Sequence, residues 1–94
     1  MRHPDNAEFL DFDDNNETHL AVHAVSAVEL LQVFMDEPLW AQNKKGRTGV
    51  WLMVGRTHGG RPLVAAVIFD ENRNCVRPIT ARTCTEAEVA KWRV

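Results

Sequence analysis

The sequence lacks any apolar run that approaches the roughly 20 residues needed to span a bilayer. Its first six residues, Met-Arg-His-Pro-Asp-Asn, also lack the apolar core of a signal peptide. These two absences argue against an integral membrane protein and against a secreted one. We therefore expect a cytoplasmic protein that does not associate with a membrane.

Cysteine is scarce, and Cys75 and Cys84 have a spacing that suits no zinc motif. A disulfide between them is disfavoured in a reducing cytoplasm, so we expect ordinary thiols. His19 and His23 have the four-residue spacing of a zinc pair, but no third ligand is evident. The sequence therefore predicts no metal site and no cofactor.

The 94 residues suffice for one small domain, and the 45% apolar content is typical of a globular fold. No repeat, low-complexity tract or linker divides the chain. We predict a flexible lead-in over residues 1–8 and a single domain over residues 9–94.

Charge is distributed unevenly along the chain. Residues 1–37 contain nine acids and one base, whereas residues 38–94 contain ten bases and four acids, for a total of −2. Such a chain can present an electropositive surface although its total charge is negative. The alternative is that the two halves neutralise each other across the fold.

Residues 49–82 give the clearest structural pattern. Three runs rich in β-branched and aromatic residues are separated by short polar or glycine-rich links, which predicts an antiparallel meander with a tight turn at Gly59-Gly60. Residues 63–69 are apolar on both alternating faces, which is typical of a central strand. Pro78 cannot donate to a ladder, so residues 75–81 should form an edge strand or leave position 78 outside the hydrogen bonding.

Helix signals lie on both sides of the meander. A short helix is expected over residues 19–23, and a second begins at Ser26, whose S-x-x-E spacing to Glu29 is a capping box. Thr85 and Glu88 cap a C-terminal helix in the same way. Short strands are plausible at residues 9–12 and 39–41. The predicted fold is α+β, with two N-terminal helices, an antiparallel sheet of three or four strands and a C-terminal helix.

Four arginines occupy the ends or margins of the meander strands: Arg56, Arg61, Arg77 and Arg82. A guanidinium group presents a fixed fork of donors that suits phosphate. Two such forks near one histidine would suit a phosphoryl transition state. The alternative is that these arginines form ion pairs with the acidic N-terminal half.

Two further features could contribute to such a site. His23 can take or give a proton near neutral pH, although a structural, hydrogen-bonded histidine is the alternative. Lys44, Lys45 and Arg47 form a basic turn, which either faces phosphate or is a solvated loop.

Four segments of the chain form a combined pattern: Phe12-Asp13-Asp14-Asn15-Asn16, His23-Ala24-Val25-Ser26-x-x-Glu29, Val54-Gly55-Arg56 followed by Gly60-Arg61-Pro62-Leu63, and Arg77-Pro78-Ile79-Thr80-Ala81-Arg82. In this order and spacing they resemble the BrnT family of bacterial toxins, which are ribonucleases with a RelE-like fold. The resemblance extends over residues 9–92.

The resemblance implies a metal-independent endoribonuclease that cleaves RNA by 2′-hydroxyl attack on the adjacent phosphate and so inhibits translation. It places His23 as base or acid and Arg77 and Arg82 as the phosphate clamp. Arg61 could assist the clamp. From the basic side chains described above, we expect RNA binding by Arg47, Arg56, Arg61, Lys44 and Lys45. The expected partner is a cognate antitoxin, with promoter DNA bound only through the toxin–antitoxin complex.

A second hypothesis is a catalytically inactive BrnT-like module that binds a partner and acts in autorepression. The chain contains no tyrosine, and Val50 stands where the family usually has an arginine, for which Arg47 could substitute. Both departures favour the inactive module, whereas the retained His23, Arg77 and Arg82 favour the nuclease.

Overall fold

The computed structural model describes residues 3–12, 24–43 and 51–94. The described elements, in chain order, are a 3-10 helix (Pro4–Asn6), β1 (Phe9–Leu10), α1 (Ala27–Met35), β2 (Leu39–Gln42), β3 (Trp51–Arg56), β4 (Pro62–Asp70), β5 (Cys75–Thr83) and α2 (Glu86–Trp92). The strands form one five-stranded sheet in the order β1-β5-β4-β3-β2. Strands β2 to β5 are antiparallel, and β1 is parallel to β5.

The fold prediction was wrong in its details, although the chain is a small α+β domain. The sheet is mixed and has five strands, because β1 pairs Phe9 with Cys75 and runs parallel to β5. A two-residue strand is too short for its sequence to reveal its partner or its direction. Ahead of the meander the described residues contain one α-helix, α1, rather than two. The short helix predicted over residues 19–23 lies outside the described residues.

The local signals for α1 are confirmed. The Ser26 hydroxyl accepts a hydrogen bond from the Glu29 backbone N–H at 3.1 Å, and the Glu29 carboxylate accepts one from the Ser26 N–H at 3.1 Å. Val25, before the cap, and Leu30, after it, are both buried in one cluster, as in a hydrophobic staple. The helix ends at Met35, shortly before the proline that prevents its continuation.

One face of the sheet, here named the α1 face, is covered by α1. Leu30 and Val33 of the helix are in one buried cluster with Met53 and Ala65 of the sheet. Gly55 lies below the helix, where an added Cβ would be 3.1 Å from a Val33 methyl carbon. The glycine therefore allows α1 to approach the sheet closely.

The opposite face, here named the α2 face, is covered in part by the C-terminal helix. Val54 and Val64 are buried on this face, and Val89 and Trp92 of α2 pack against them. Side chains alternate along a strand, so β3 and β4 contribute residues to the buried clusters on both faces. The prediction that residues 63–69 form a central strand is confirmed, since β4 lies between β3 and β5.

The ladder between β4 and β5 is interrupted near Pro78. Ala66 pairs with Thr80, but Val67 pairs with Pro78, so Ile79 is an additional residue in β5. Such a bulge accommodates a proline inside a sheet. The edge-strand prediction was wrong for the start of β5, which pairs with β1. The alternative, that position 78 lies outside the hydrogen bonding, stays a prediction: the register places Pro78 opposite Val67, directly beside the break in the ladder.

Part of the lead-in predicted over residues 1–8 packs on the domain. Pro4 is buried, and the His3 ring lies 4.9 Å from the Trp51 ring. The Glu8 N–H donates to the Asn74 carbonyl at 2.8 Å, which continues the pairing of β1 towards the N-terminus. From His3 onward, this segment is part of the fold.

Cys75 and Cys84 are free and buried, in agreement with the prediction of ordinary thiols. Burial raises the pKa of both thiols. Among the described residues, no helix has the length and apolar character needed to cross a membrane.

Ala24 has a φ of 56°, in the left-handed region. This conformation is costly for a residue with a Cβ, so we expect Ala24→Gly to raise the free energy of unfolding by up to about 1 kcal/mol. Urea denaturation measures the change. The matched control is Ala90→Gly inside α2, where glycine should lower stability by about 1 kcal/mol. Equal losses in both variants would contradict the expectation.

Candidate functional site

The structure describes four of the eight residues predicted to act in catalysis or RNA binding, namely Arg56, Arg61, Arg77 and Arg82. The other four, His23, Lys44, Lys45 and Arg47, lie outside the described residues. His19, which has the spacing of a zinc pair with His23, also lies outside them.

The bulge at Ile79 determines which way Arg77 and Arg82 face. Five positions separate them, so a regular strand would place them on opposite faces of the sheet. The extra residue restores the same orientation, because Arg77 pairs with Ile68 and Arg82 pairs with Val64, which alternate on one side of β4. Both arginines therefore lie on the α2 face.

The two arginines share this face but do not meet. Their partners on β4 are four residues apart, which corresponds to roughly 13 Å along the strand. The Arg77 Nε lies 3.5 Å from the Asp11 carboxylate, near β1, whereas Arg82 binds Glu88 on α2. The common clamp that the sequence predicted from Arg77 and Arg82 is therefore not formed.

Arg82 and Glu88 form a bidentate ion pair. Arg82 Nη2 donates to Glu88 Oε2 at 2.8 Å, and Nη1 donates to Oε1. The hydrogen bond and charge of Arg82 are the main reason that the pKa of Glu88 falls to about 2. Glu88 also accepts the Thr85 N–H at 2.9 Å, in the predicted capping box of α2. One carboxylate thus fixes both the start of the helix and the arginine on the sheet.

A groove of about 540 Å³ lies between α2 and the sheet, and we name it the basic groove. Among the described residues, its lining includes the cations Arg82 and Lys91, the apolar side chains Leu52 and Val64, and the aromatic Trp92. The Lys91 ammonium group lies 5.2 Å from the centroid of the Trp92 ring. Gln42 and Asn43, at the end of β2, complete the lining together with Ala41 and Glu88.

The composition of the basic groove suits a segment of single-stranded nucleic acid. Guanidinium and ammonium groups bind phosphate, and an indole beside an apolar sheet can receive an unpaired base. Among the described residues that line the groove, Glu88 is the acid, and its charge is already balanced by Arg82.

Arg61 lies on the other side of the sheet from Arg82. Its Nε donates to the Thr83 hydroxyl at 2.9 Å, and its Nη1 donates to the Ala24 carbonyl at 2.8 Å and lies 3.2 Å from Glu29. Hydrogen bonding from Ser26, together with Arg61, lowers the pKa of Glu29. Arg61 thus ties the start of α1 to the sheet.

Arg56 is used within the fold as well. Its guanidinium donates to the backbone oxygens of Gly60 and, at 3.0 Å, of Val94. Arg61 and Arg77 form ion pairs with acids of the N-terminal half, as the alternative in the sequence analysis proposed. Arg82 instead pairs with an acid of its own half.

The sequence analysis did not identify Lys91 or Trp92 as site residues. Trp92 was assigned to the core, and it does pack there, but it also lines the basic groove. The pairing of Arg82 with Glu88 joins a strand to the following helix across a turn. Helical or strand periodicity does not relate two residues in different elements, so no sequence signal identified the pair.

No model of a known protein family matches the chain, and no curated protein matches its sequence. The resemblance to the BrnT family therefore depends on the sequence motifs alone. Among the described residues, no group of three or more histidine, cysteine or acidic side chains could hold a metal ion.

The folded-state pKa of Glu88, about 2, lies below its ordinary value of 4.5. The ionised carboxylate therefore stabilises the fold above pH 4.5, and this contribution is lost as the pH falls from 4.5 towards 2. Glu88→Gln keeps an acceptor for the helix cap but removes the charge. We expect it to lower stability at neutral pH by about 1 kcal/mol and to weaken the acid dependence.

Thermal unfolding followed across this pH range measures both effects. The matched control is Glu86→Gln, which removes the same charge from the same helical turn and should change stability little. A Glu88→Gln variant that loses stability in acid as steeply as the parent would show that the ion pair is not the cause.

Proposed function

We propose that this chain is the toxin of a toxin–antitoxin pair and acts in the cytoplasm as a metal-independent ribonuclease. The observation that supports this function is the placement of Arg82 in a groove with Lys91 and Trp92. The bulge puts Arg82 on the same face of the sheet as Arg77. The sequence motifs suggest the reaction class, and the groove offers a binding surface for its substrate.

RNA would bind in the basic groove with its backbone along the cations. An unpaired base beside Trp92 would contribute about 1–3 kcal/mol by stacking. Lys44 and Lys45 directly follow Asn43, which lines the groove. We therefore include these lysines and Arg47 in the proposed path of the RNA.

Arg82 retains donors for phosphate although it is paired. A guanidinium group has five N–H donors. Glu88 accepts two of them, and the Thr83 carbonyl accepts a third, from Nη1 at 3.3 Å. The Nε–H and the second Nη2–H remain, and they form the side-on fork of the guanidinium group. Glu88 can therefore hold Arg82 in place while this fork binds a phosphate.

The proposed reaction requires a base, a cationic group and a proton donor. The base removes the proton of the ribose 2′-hydroxyl, and the oxygen attacks the adjacent phosphorus. The bond from phosphorus to the 5′-oxygen breaks, and that oxygen takes up a proton. The products are a 2′,3′-cyclic phosphate and a 5′-hydroxyl end. We assign one of these two proton transfers, as base or as acid, to His23. We assign the stabilisation of the phosphorane charge to Arg82.

A non-catalytic partner-binding module is the second candidate function. It is favoured by the separation of Arg77 from Arg82 and by the ion pairs in which Arg61, Arg77 and Arg82 take part. In this case Arg82 would serve only to fix α2 on the sheet. In both cases we propose a cognate antitoxin as partner, with promoter DNA contacted only through the complex.

Expression of the chain alone in a bacterium should arrest growth, and Arg82→Ala should abolish the arrest because the phosphate-binding fork is lost. Arg82→Lys keeps the charge without the fork and should restore growth in large part. The matched control is Arg73→Ala, since Arg73 is an exposed, paired arginine that lies outside the basic groove. This control should leave the arrest intact.

The same variants should be tested with purified protein and a single-stranded RNA. We expect cyclic-phosphate ends from the parent and from Arg73→Ala, and about tenfold weaker RNA binding by Arg82→Ala. Thermal unfolding shows whether each variant is folded. A folded parent that neither arrests growth nor cleaves RNA would refute the nuclease and leave the partner-binding module.

A further inference from the structure

Helix α1 exposes an apolar stripe on its outer surface. Val28, Leu31 and Met35 are 65%, 44% and 71% exposed, and their spacing places them along one side of the helix. Leu30 and Val33, which bury the helix against the sheet, lie on another side. An aligned set of exposed apolar side chains is typical of a protein interaction surface.

A second groove, of about 510 Å³, begins at the end of this stripe, and we name it the acidic groove. Met35 belongs to both the stripe and the groove. The apolar walls include Phe34, Pro38 and Trp40, and the rim has three carboxylates, Asp5, Glu8 and Glu37, with no lysine or arginine among its described lining residues. An apolar side chain with neighbouring positive charges would fit these walls and this rim.

The electrostatics of this region favour a cationic ligand. Asp36 and Glu37 follow the C-terminal end of α1, which is the negative end of the helix dipole, and the last turn contains no base. Among the described residues, Glu8 and Glu37 form no ion pair. Positive charges placed here would be attracted by both the carboxylates and the dipole.

The acidic groove and the basic groove use opposite faces of the sheet. Trp40, in the acidic groove, pairs with Met53 on the α1 face, whereas Ala41, in the basic groove, pairs with Leu52 on the α2 face. A ligand in one groove therefore does not occupy the other. The acidic rim repels the phosphates of nucleic acid, so a polypeptide is the ligand that this surface fits.

We infer that the stripe on α1 and the acidic groove together bind a basic amphipathic helix of a partner protein. The apolar face of that helix would pack along Val28, Leu31 and Met35, with one large side chain placed in the groove against the Phe34 and Trp40 walls. Lysines or arginines beside this side chain would approach Glu8 and Glu37. The inference concerns recognition of a partner and does not depend on RNA cleavage.

A fluorescently labelled helical peptide with leucines on one face and lysines on the other is the probe. Fluorescence anisotropy should show that it binds the full chain, and Glu37→Lys should weaken binding by about tenfold, since the change replaces attraction by repulsion. Met35→Ser should weaken binding by a similar factor through loss of apolar contact. The matched control is Glu86→Lys, which makes the same charge change on α2 and should leave the affinity unaltered.

Two further peptides and one variant make the test specific. A peptide with glutamates in place of the lysines, and one with serines in place of the leucines, should each bind at least about tenfold more weakly. Arg82→Ala should bind the lysine peptide as the parent does, which separates this inference from the proposed ribonuclease activity. Equal binding to Glu37→Lys and Glu86→Lys, equal binding of the serine peptide, or no binding at all would overturn the inference. Dimerisation of the parent that Met35→Ser abolishes would also overturn it, because a second copy would then be the occupant.

Discussion

Pro78 cannot donate a hydrogen bond to the sheet, and the sheet accommodates it with one additional residue in β5. Because of this bulge, each residue that follows it in β5 lies on the face of the sheet opposite to the one that a regular strand would give it. It places Arg82 on the same face as Arg77, and it leaves Ala81 buried against the α1 side of the core. The position of Arg82 beneath α2, and hence the basic groove, depends on this break in the ladder.

Two ion pairs then attach the helices to the sheet. Arg61 joins Glu29 at the start of α1, and Arg82 joins Glu88 at the start of α2. In each pair the acid is also the third helical residue, which closes the capping box, so the same carboxylate caps the helix and fixes its position. The uneven charge of the sequence is partly neutralised by ion pairs between the two halves, such as Arg61 with Glu29 and Arg73 with Asp11. What remains includes an acidic groove beside α1 and a basic groove beside α2.

The elements that the sequence predicted correctly are those specified by neighbouring residues. The capping boxes at Ser26 and Thr85 involve side chains and backbone groups three positions apart, so the spacing in the sequence is enough to identify them. The parallel strand at Phe9 was not assigned to its partner, because its pairing with Cys75 joins distant parts of the chain. In the same way, the sequence selected Arg82 but could not show that Glu88 would hold it, or that Lys91 and Trp92 would stand beside it.

The sequence by itself determined the two capped helices, the apolar central strand and the chemical character of the arginines, because each depends on local spacing or on the side chain alone. The tertiary structure decided the facing of Arg82, its separation from Arg77 and the use of Arg61 as a link to α1. Those outcomes depend on register and on contacts between elements. A bulge of one residue is enough to change them, and the alternation of a strand does not reveal it.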